Sequence, residues 1–296
     1  MNTQSKNWKG VTGGGNFGQK SLIFLFKHCD VTIGYFFMYL VIPFYLIFGK
    51  KARNAAISYF QKVYGYGKIK SFFLSWKTYN TFGKVMLDRF SIFSGQKHKF
   101  KTEIIGIENF NTLCSGQEGF MMVGSHTGNF EICGYLLHQD IKKIYALVFG
   151  GESQLLTVQR FSQFSQNNIE MLAVKDDMSH LFTINQALEN GDIAVMPADR
   201  IFGSQKSITC SFGKANAKFP VGPFAVAAIR KVPVLAVFVY KISTRKYKIY
   251  VNRIECTTDI SPKKQAEEMA EKYVKLLEKY VAQYKCQWFN FYDFFN

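Results

Sequence analysis

Phe120-Met121-Met122-Val123-Gly124-Ser125-His126-Thr127-Gly128-Asn129-Phe130-Glu131 decides the fold class of this 296-residue chain. Residues 120–123 form a short apolar run of the kind that becomes a strand buried on both faces, and residues 130–137 carry helical spacing. The turn between them puts His126 where a parallel strand ends and a helix begins, the edge at which α/β proteins hold their sites. Five positions on, Glu131 is placed to fold back onto one imidazole nitrogen. The other nitrogen is then free to take a proton from a hydroxyl. A capping or core histidine beside an unrelated surface glutamate accounts for the pair equally well, so the pair alone settles no function.

Charge is unevenly spread. The formal net charge is +16, and residues 1–101 hold 16 basic residues against only Asp30 and Asp88, a net +14. The remaining 195 residues are nearly neutral at +2. A basic first third suits either nucleic acid or an anionic membrane. The apolar segment inside it favours the membrane: residues 31–49 (VTIGYFFMYLVIPFYLIFG) carry no charge. As a helix they would span about 28 Å, near the thickness of a bilayer core. Lys27, Lys50, Lys51 and Arg53 flank them, Tyr35, Tyr39 and Tyr45 suit an interface, and Pro43 predicts a kink. A buried core helix is the competing reading. A secretory signal is disfavoured by the polar stretch before the segment and the lack of a small-residue cleavage site after it. No nucleic-acid module accompanies the basic residues.

Six cysteines are scattered without a Cys-x-x-Cys pair, which suits a reducing compartment and argues against disulfides and structural zinc. Five histidines make no His-x-x-x-His pair, so no metal is expected.

The chain divides into a polar, glycine-rich tail (1–20), a membrane anchor (21–49), a basic helical collar (50–100) and an α/β domain (101–296). In the last, strands are expected at 103–107, 119–124, 143–149, 169–174, 192–196, 207–212, 234–240 and 246–251. Helices are expected at 128–138, 153–164, 178–190 and 223–231. This alternation predicts a mostly parallel or mixed sheet flanked by helices. Ser261-Pro262 opens a last helix with an N-cap and first-turn proline, and the aromatic end at 288–295 reads as a docked terminus that also suits lipid contact.

Four blocks, in order, give the chain a resemblance to the lysophospholipid acyltransferase superfamily, and within it to the late lipid A biosynthesis acyltransferases. His126 and Glu131 resemble the superfamily's His-x4-Asp/Glu dyad. Arg160, in Thr157-Val158-Gln159-Arg160-Phe161, lies where the second block keeps a basic residue. Met196-Pro197-Ala198-Asp199-Arg200 resembles the third block. Lys218-Phe219-Pro220-Val221-Gly222-Pro223, followed by Val232-Pro233-Val234, resembles the approach to the fourth. The resemblance spans roughly residues 20–292. It departs from glycerolipid enzymes in having Glu in the dyad and in lacking Glu-Gly-Thr-Arg in the third block, which puts a glycerol phosphate acceptor in doubt.

The resemblance implies a glycerolipid-acyltransferase-like fold, an acyl carrier protein thioester (or acyl-CoA) as donor, a lipid A precursor as the first-ranked acceptor, and no cofactor. Arg160 and Arg200, at or near strand ends, call for an anionic membrane lipid. The unpaired cysteines, the missing cleavable signal and a thioester donor of the kind found inside cells place the catalytic domain on the cytoplasmic face of the cell inner membrane. On chemical grounds His126 is the general base, with Glu131 fixing its tautomer. The 127–129 amides are the expected oxyanion donors. Arg160 and Arg200 are candidates to grip acceptor phosphates, Asp199 to orient Arg200 or bind a sugar hydroxyl, and Gly222 to admit a ligand close to the backbone. A hydrolase is disfavoured, because Gly124-Ser125-His126-Thr127-Gly128 lacks the spacing of a nucleophile elbow. A membrane-docked scaffold, and acyl transfer to an aminolipid, lysophospholipid or polyene-type lipid, remain alternatives.

Overall fold

A computed structural model describes residues 15–136, 141–148, 154–174, 177–201 and 206–295. Four helices come first: α1 (Gly15–His28), α2 (Val31–Phe48), α3 (Lys50–Tyr64) and α4 (Lys68–Phe93). There follow β1 (Lys101–Ile105), α5 (Ile107–Ser115), β2 (Phe120–Gly124), α6 (Ile132–Leu136), β3 (Ile144–Val148), α7 (Gln154–Ser165) and β4 (Ile169–Ala173). The chain continues through α8 (Ser179–Glu189), β5 (Ile193–Pro197), β6 (Ser207–Phe212), β7 (Ala215–Pro220) and α9 (Gly222–Arg230). It closes with β8 (Val234–Lys241), β9 (Lys246–Ile254) and α10 (Pro262–Gln283).

Seven strands form one sheet in the order β1-β9-β8-β2-β5-β3-β4. Every neighbouring pair is parallel except β8 with β9. The expected mixed α/β fold is therefore present. Side chains of β2 alternate between two cores: Met121 and Val123 pack on the side of α3, α8, α9 and α10, while Phe120 and Met122 pack on the side of α4, α5 and α7. Both faces are covered, which is why β2 is continuously apolar.

Several local expectations change. The strand expected at 103–107 lies at Lys101–Ile105, with Ile107 opening the unexpected α5, and Ser261 precedes α10 without a side-chain cap bond. The helix expected from residue 128 begins only at Ile132, because Thr127 bridges to Trp288 and the Gly128 amide binds the Gln287 carbonyl at 2.8 Å. Its expected end at 138 and the first residue of the 153–164 helix lie outside the described residues. Residues 215–220 form a second hairpin strand, turned back on β6 by Gly213-Lys214 with Gly213 at φ +60°. Residues 15–20, expected in a polar tail, are the first turns of α1.

α2 packs along α4 through Val31, Gly34, Tyr35, Ile42 and Leu46, and the Met38 methyl lies where a Cβ on Gly83 would be. Its other face (Phe36, Phe37, Leu40, Phe44, Ile47, Phe48) is exposed. With mean hydropathy 2.0, α2 has the length and composition to cross a membrane, as fits an anchor.

Candidate active site

β2 and β5 are adjacent and parallel, and the register pairs Gly124 with Pro197. Ala198 continues the pairing by donating its amide to the Gly124 carbonyl at 2.9 Å. Two residues beyond that pair on each strand stand His126 and Asp199, so the sheet itself brings them together at its carboxyl edge. His126 Nδ1 lies 2.8 Å from Asp199 Oδ1, and the His126 amide donates to Asp199 Oδ2 at 2.8 Å. The Trp288 indole N–H donates to the same Oδ2 at 2.9 Å. Nε2 of His126 makes no hydrogen bond among the described residues, and the ring retains 21% exposure while Asp199 has none.

The loop is braced from several directions. Gly128 adopts φ +48° with Val239 O only 2.2 Å from where a Cβ would sit, so no side chain fits there. Ser125 and Thr127 share a buried hydroxyl hydrogen bond of 2.8 Å, and Tyr273 of α10 donates to the Gly124 carbonyl at 2.8 Å. Phe289 donates its amide to the His126 carbonyl at 3.1 Å. The terminal segment thus pairs with the loop on both sides of Trp288.

Burial pushes His126 below its ordinary 6.5, Arg200 pushes the same way, and Asp199 opposes them. For Asp199, burial alone would raise the carboxyl. The His126 ring and its hydrogen bond, Arg200 and the His126 amide outweigh that and hold it at about 2. At neutral pH the arrangement is a neutral imidazole beside a carboxylate, with Nδ1 carrying the proton that Oδ1 accepts and Nε2 basic.

Glu131 does not hold the ring. It lies buried between two guanidiniums, 2.8 Å from Arg89 Nε and 2.9 Å from Arg160. The non-helical path of residues 128–131 carries it toward α4 and α7 rather than back to His126. Arg160 is accordingly buried against Glu131 and not displayed to a ligand. Asp199 likewise does not orient Arg200 by a hydrogen bond. Its oxygens go to His126 and Trp288, while Arg200 donates to the Phe289 carbonyl at 2.7 Å and lies over the Tyr292 ring at 5.4 Å. Of the expected oxyanion donors, the Gly128 amide is engaged by Gln287. Gly222, at the start of α9, faces open space. α9 follows the β6–β7 hairpin and leads through Val232 and Pro233 into β8, which runs parallel to β2, so its start lies toward the same sheet edge as His126.

Sequence reasoning missed Arg89 and the site position of Trp288. Arg89 is one of many basic residues in the collar; its place four positions before the end of α4 carries no signal of its own. Trp288 was read as part of a docked terminus, which it is, at 1% exposure.

The model of the bacterial lipid A biosynthesis acyltransferase family matches residues 74–295. No curated protein shows a significant match. The chain belongs to the bacterial lipid A biosynthesis acyltransferase family, and its membership implies an acyl donor and a lipid acceptor.

Proposed function

We propose that this acyltransferase moves a fatty acyl chain from a carrier thioester to a hydroxyl of an anionic membrane lipid, a lipid A precursor before other acceptors. His126 is the general base and Asp199 the carboxylate that positions it. The observation that carries this reading is the 2.8 Å contact of Nδ1 with a fully buried carboxylate, opposite an unengaged Nε2.

A hydroxyl at neutral pH is a weak nucleophile, and a base placed on its proton contributes about 10²–10⁴-fold. Nε2 takes that proton as the hydroxyl oxygen bonds to the thioester carbonyl carbon. Asp199 keeps the proton on Nδ1 and stabilises the imidazolium. When the tetrahedral intermediate collapses, the C–S bond breaks and the thiolate leaves, recovering the proton from Nε2. The thiolate's low basicity makes a metal or covalent intermediate unnecessary.

Glu131 serves the same reaction indirectly: pinned by Arg89 and Arg160, it fixes the loop that carries His126. Arg200, at the sheet edge beside the pair, is the candidate contact for an acceptor phosphate, with a fork geometry that suits such groups. Gly222, with open space where a side chain would be, lets a ligand approach the backbone at the start of α9. The basic first third suits an acidic carrier protein or the phosphates of coenzyme A, and an anionic inner-membrane surface facing the cytoplasm.

Two measurements test the proposal. Lipid A and total lipids from cells with and without the gene, compared by mass spectrometry, should differ by one acyl chain on lipid A. The purified enzyme, given an acyl carrier protein thioester and a panel of acceptors, should acylate a lipid A precursor. Transfer to a lysophospholipid or aminolipid instead would overturn the acceptor and spare the mechanism.

A further inference from the structure

We propose that Trp288 is a positioning residue for acyl transfer: its indole N–H fixes the rotation of the Asp199 carboxylate so that Oδ1 faces the His126 ring. The proposal rests on the reading of His126 and Asp199 given above.

A carboxylate can rotate about its own bond, and a single hydrogen bond to His126 would leave that rotation to the ring. Here two donors, the His126 amide at 2.8 Å and the Trp288 indole at 2.9 Å, converge on Oδ2. With Oδ2 held, Oδ1 has one place to be, 2.8 Å from Nδ1. The indole is itself held rigidly. Its ring packs against Phe212, Phe294 and Tyr59 at centroid separations of 4.9, 5.0 and 5.7 Å. Its backbone bridges to Thr127, between the Gly128–Gln287 and Phe289–His126 hydrogen bonds. One terminal segment therefore sets both the loop that bears the base and the carboxylate that orients it. Packing alone calls only for a ring at this position, and phenylalanine would supply one. Indole adds a single polar hydrogen, which points at a buried charge, where such hydrogen bonds are strongest.

Removing the N–H leaves Asp199 with one fewer donor and a more basic Oδ1. Protonation of His126 becomes easier, and the carboxylate is freer to turn. Trp288→Phe should therefore raise the titration midpoint of His126 by roughly half a pH unit. It should also lower kcat about tenfold with KM little changed. A packing defect that admits water would also raise the midpoint, by relieving the burial that lowers His126, so the test needs a control that loosens the packing and keeps the N–H.

The experiment is NMR titration of histidine-labelled full-length protein in detergent micelles, with the His126 signal assigned by its loss in His126→Ala. No substrate is needed. Phe212→Leu is the control, because it loosens the packing of Trp288 and keeps the N–H. An upward shift in Trp288→Phe and none in Phe212→Leu supports the proposal; no shift, or an equal shift in both, overturns it. If Trp288→Phe does not fold, 3-benzothienylalanine introduced at 288 preserves the ring shape and lacks the donor, with the same two outcomes. Asp199→Asn, titrated alongside, separates the two levels. Loss of the carboxylate should lower the His126 midpoint. If it does and Trp288→Phe has no effect, this proposal alone fails; if Asp199→Asn also has no effect, the His126–Asp199 reading fails with it.

Discussion

Asp199 accepts the His126 ring at 2.8 Å across 73 residues of sequence, because the two stand at equal offsets beyond paired positions of adjacent parallel strands. The consequence is that the functional partner of His126 lies on another strand, and the nearby Glu131 has a different task. Asp199→Asn should leave the protein folded and reduce acyl transfer by about 10²-fold or more, comparable with His126→Ala, since the amide no longer enforces the productive tautomer. Turnover with a carrier thioester, measured beside thermal unfolding, checks this. Near-normal turnover in Asp199→Asn would sink the assignment.

Glu131 is predicted to behave differently from Asp199. Its carboxylate lies between Arg89 and Arg160, both buried, and Glu131→Gln leaves two guanidiniums with their shared counter-charge removed. Breaking such a buried arrangement from one side costs roughly 3–5 kcal/mol. Activity should fall together with the unfolding temperature. The same logic extends to Arg89→Met, which removes one arm from α4. Equal unfolding temperatures for wild type and Glu131→Gln would show that this network does not hold the loop.

The pH dependence follows from the two shifts. His126 is lowered below 6.5, so the base stays neutral to a lower pH than an exposed histidine would, and the acid limb of kcat/KM should fall below 6.5. Stability follows the same direction. In the interval between the lowered value and 6.5 the unfolded chain binds the proton more readily, so stability drops as pH falls through it. Asp199 adds a second step: held at about 2 against 3.8, its contribution of roughly 2 kcal/mol is complete above 3.8 and lost as pH falls toward 2. Denaturant melts at a series of acidic pH values should show both losses in the wild type. Asp199→Asn should lack the lower one.

Much of the architecture could be read from periodicity. The continuous apolar runs of β2 and β8 reflect burial on both faces, and the regular apolar spacing of α10 reflects its seat on the sheet. The carboxyl-edge position of His126 and the Asp199-Arg200 turn at a strand end could be read the same way. What could not be read was which strand lies beside which. The neighbour of β2 on one side is β5, reached only after two other strands, and that adjacency decides that Asp199 and not Glu131 meets the ring. The hairpin strand β7 was hidden because its exposed Asn216 and Lys218 alternate with small residues and look like a loop. Trp288 was visible as a buried aromatic, but a hydrogen bond from its N–H to one carboxylate leaves no periodic trace.

α2 is the one helix among the described residues long and apolar enough to cross a membrane. Removing residues 1–49 would be the obvious way to detach the protein, but α2 is also part of the domain. Phe26, Val31 and Tyr35 lie in the core beside α4. Tyr35 also donates to Asp88, a fully buried carboxylate that pairs with Lys241 at 2.5 Å and accepts from Tyr247. Truncation would leave Asp88 and Lys241 uncovered and expose the core, so loss of lipid binding would be confounded with unfolding. Changing only the outward face separates the two. Phe36→Ser, Leu40→Ser and Phe44→Ser together remove large apolar side chains that are 69%, 71% and 58% exposed, and they leave the buried residues of α2 unchanged. Burial of such side chains in lipid is worth roughly 1.5–3 kcal/mol each, so the triple variant should lose most of its hydrophobic affinity for vesicles. Its unfolding temperature should stay near the wild-type value. What binding remains should come from the basic first third and be stripped by salt. Flotation with anionic and neutral vesicles at low and high salt reads all of this. Full, salt-resistant flotation of the triple variant would place the anchor elsewhere.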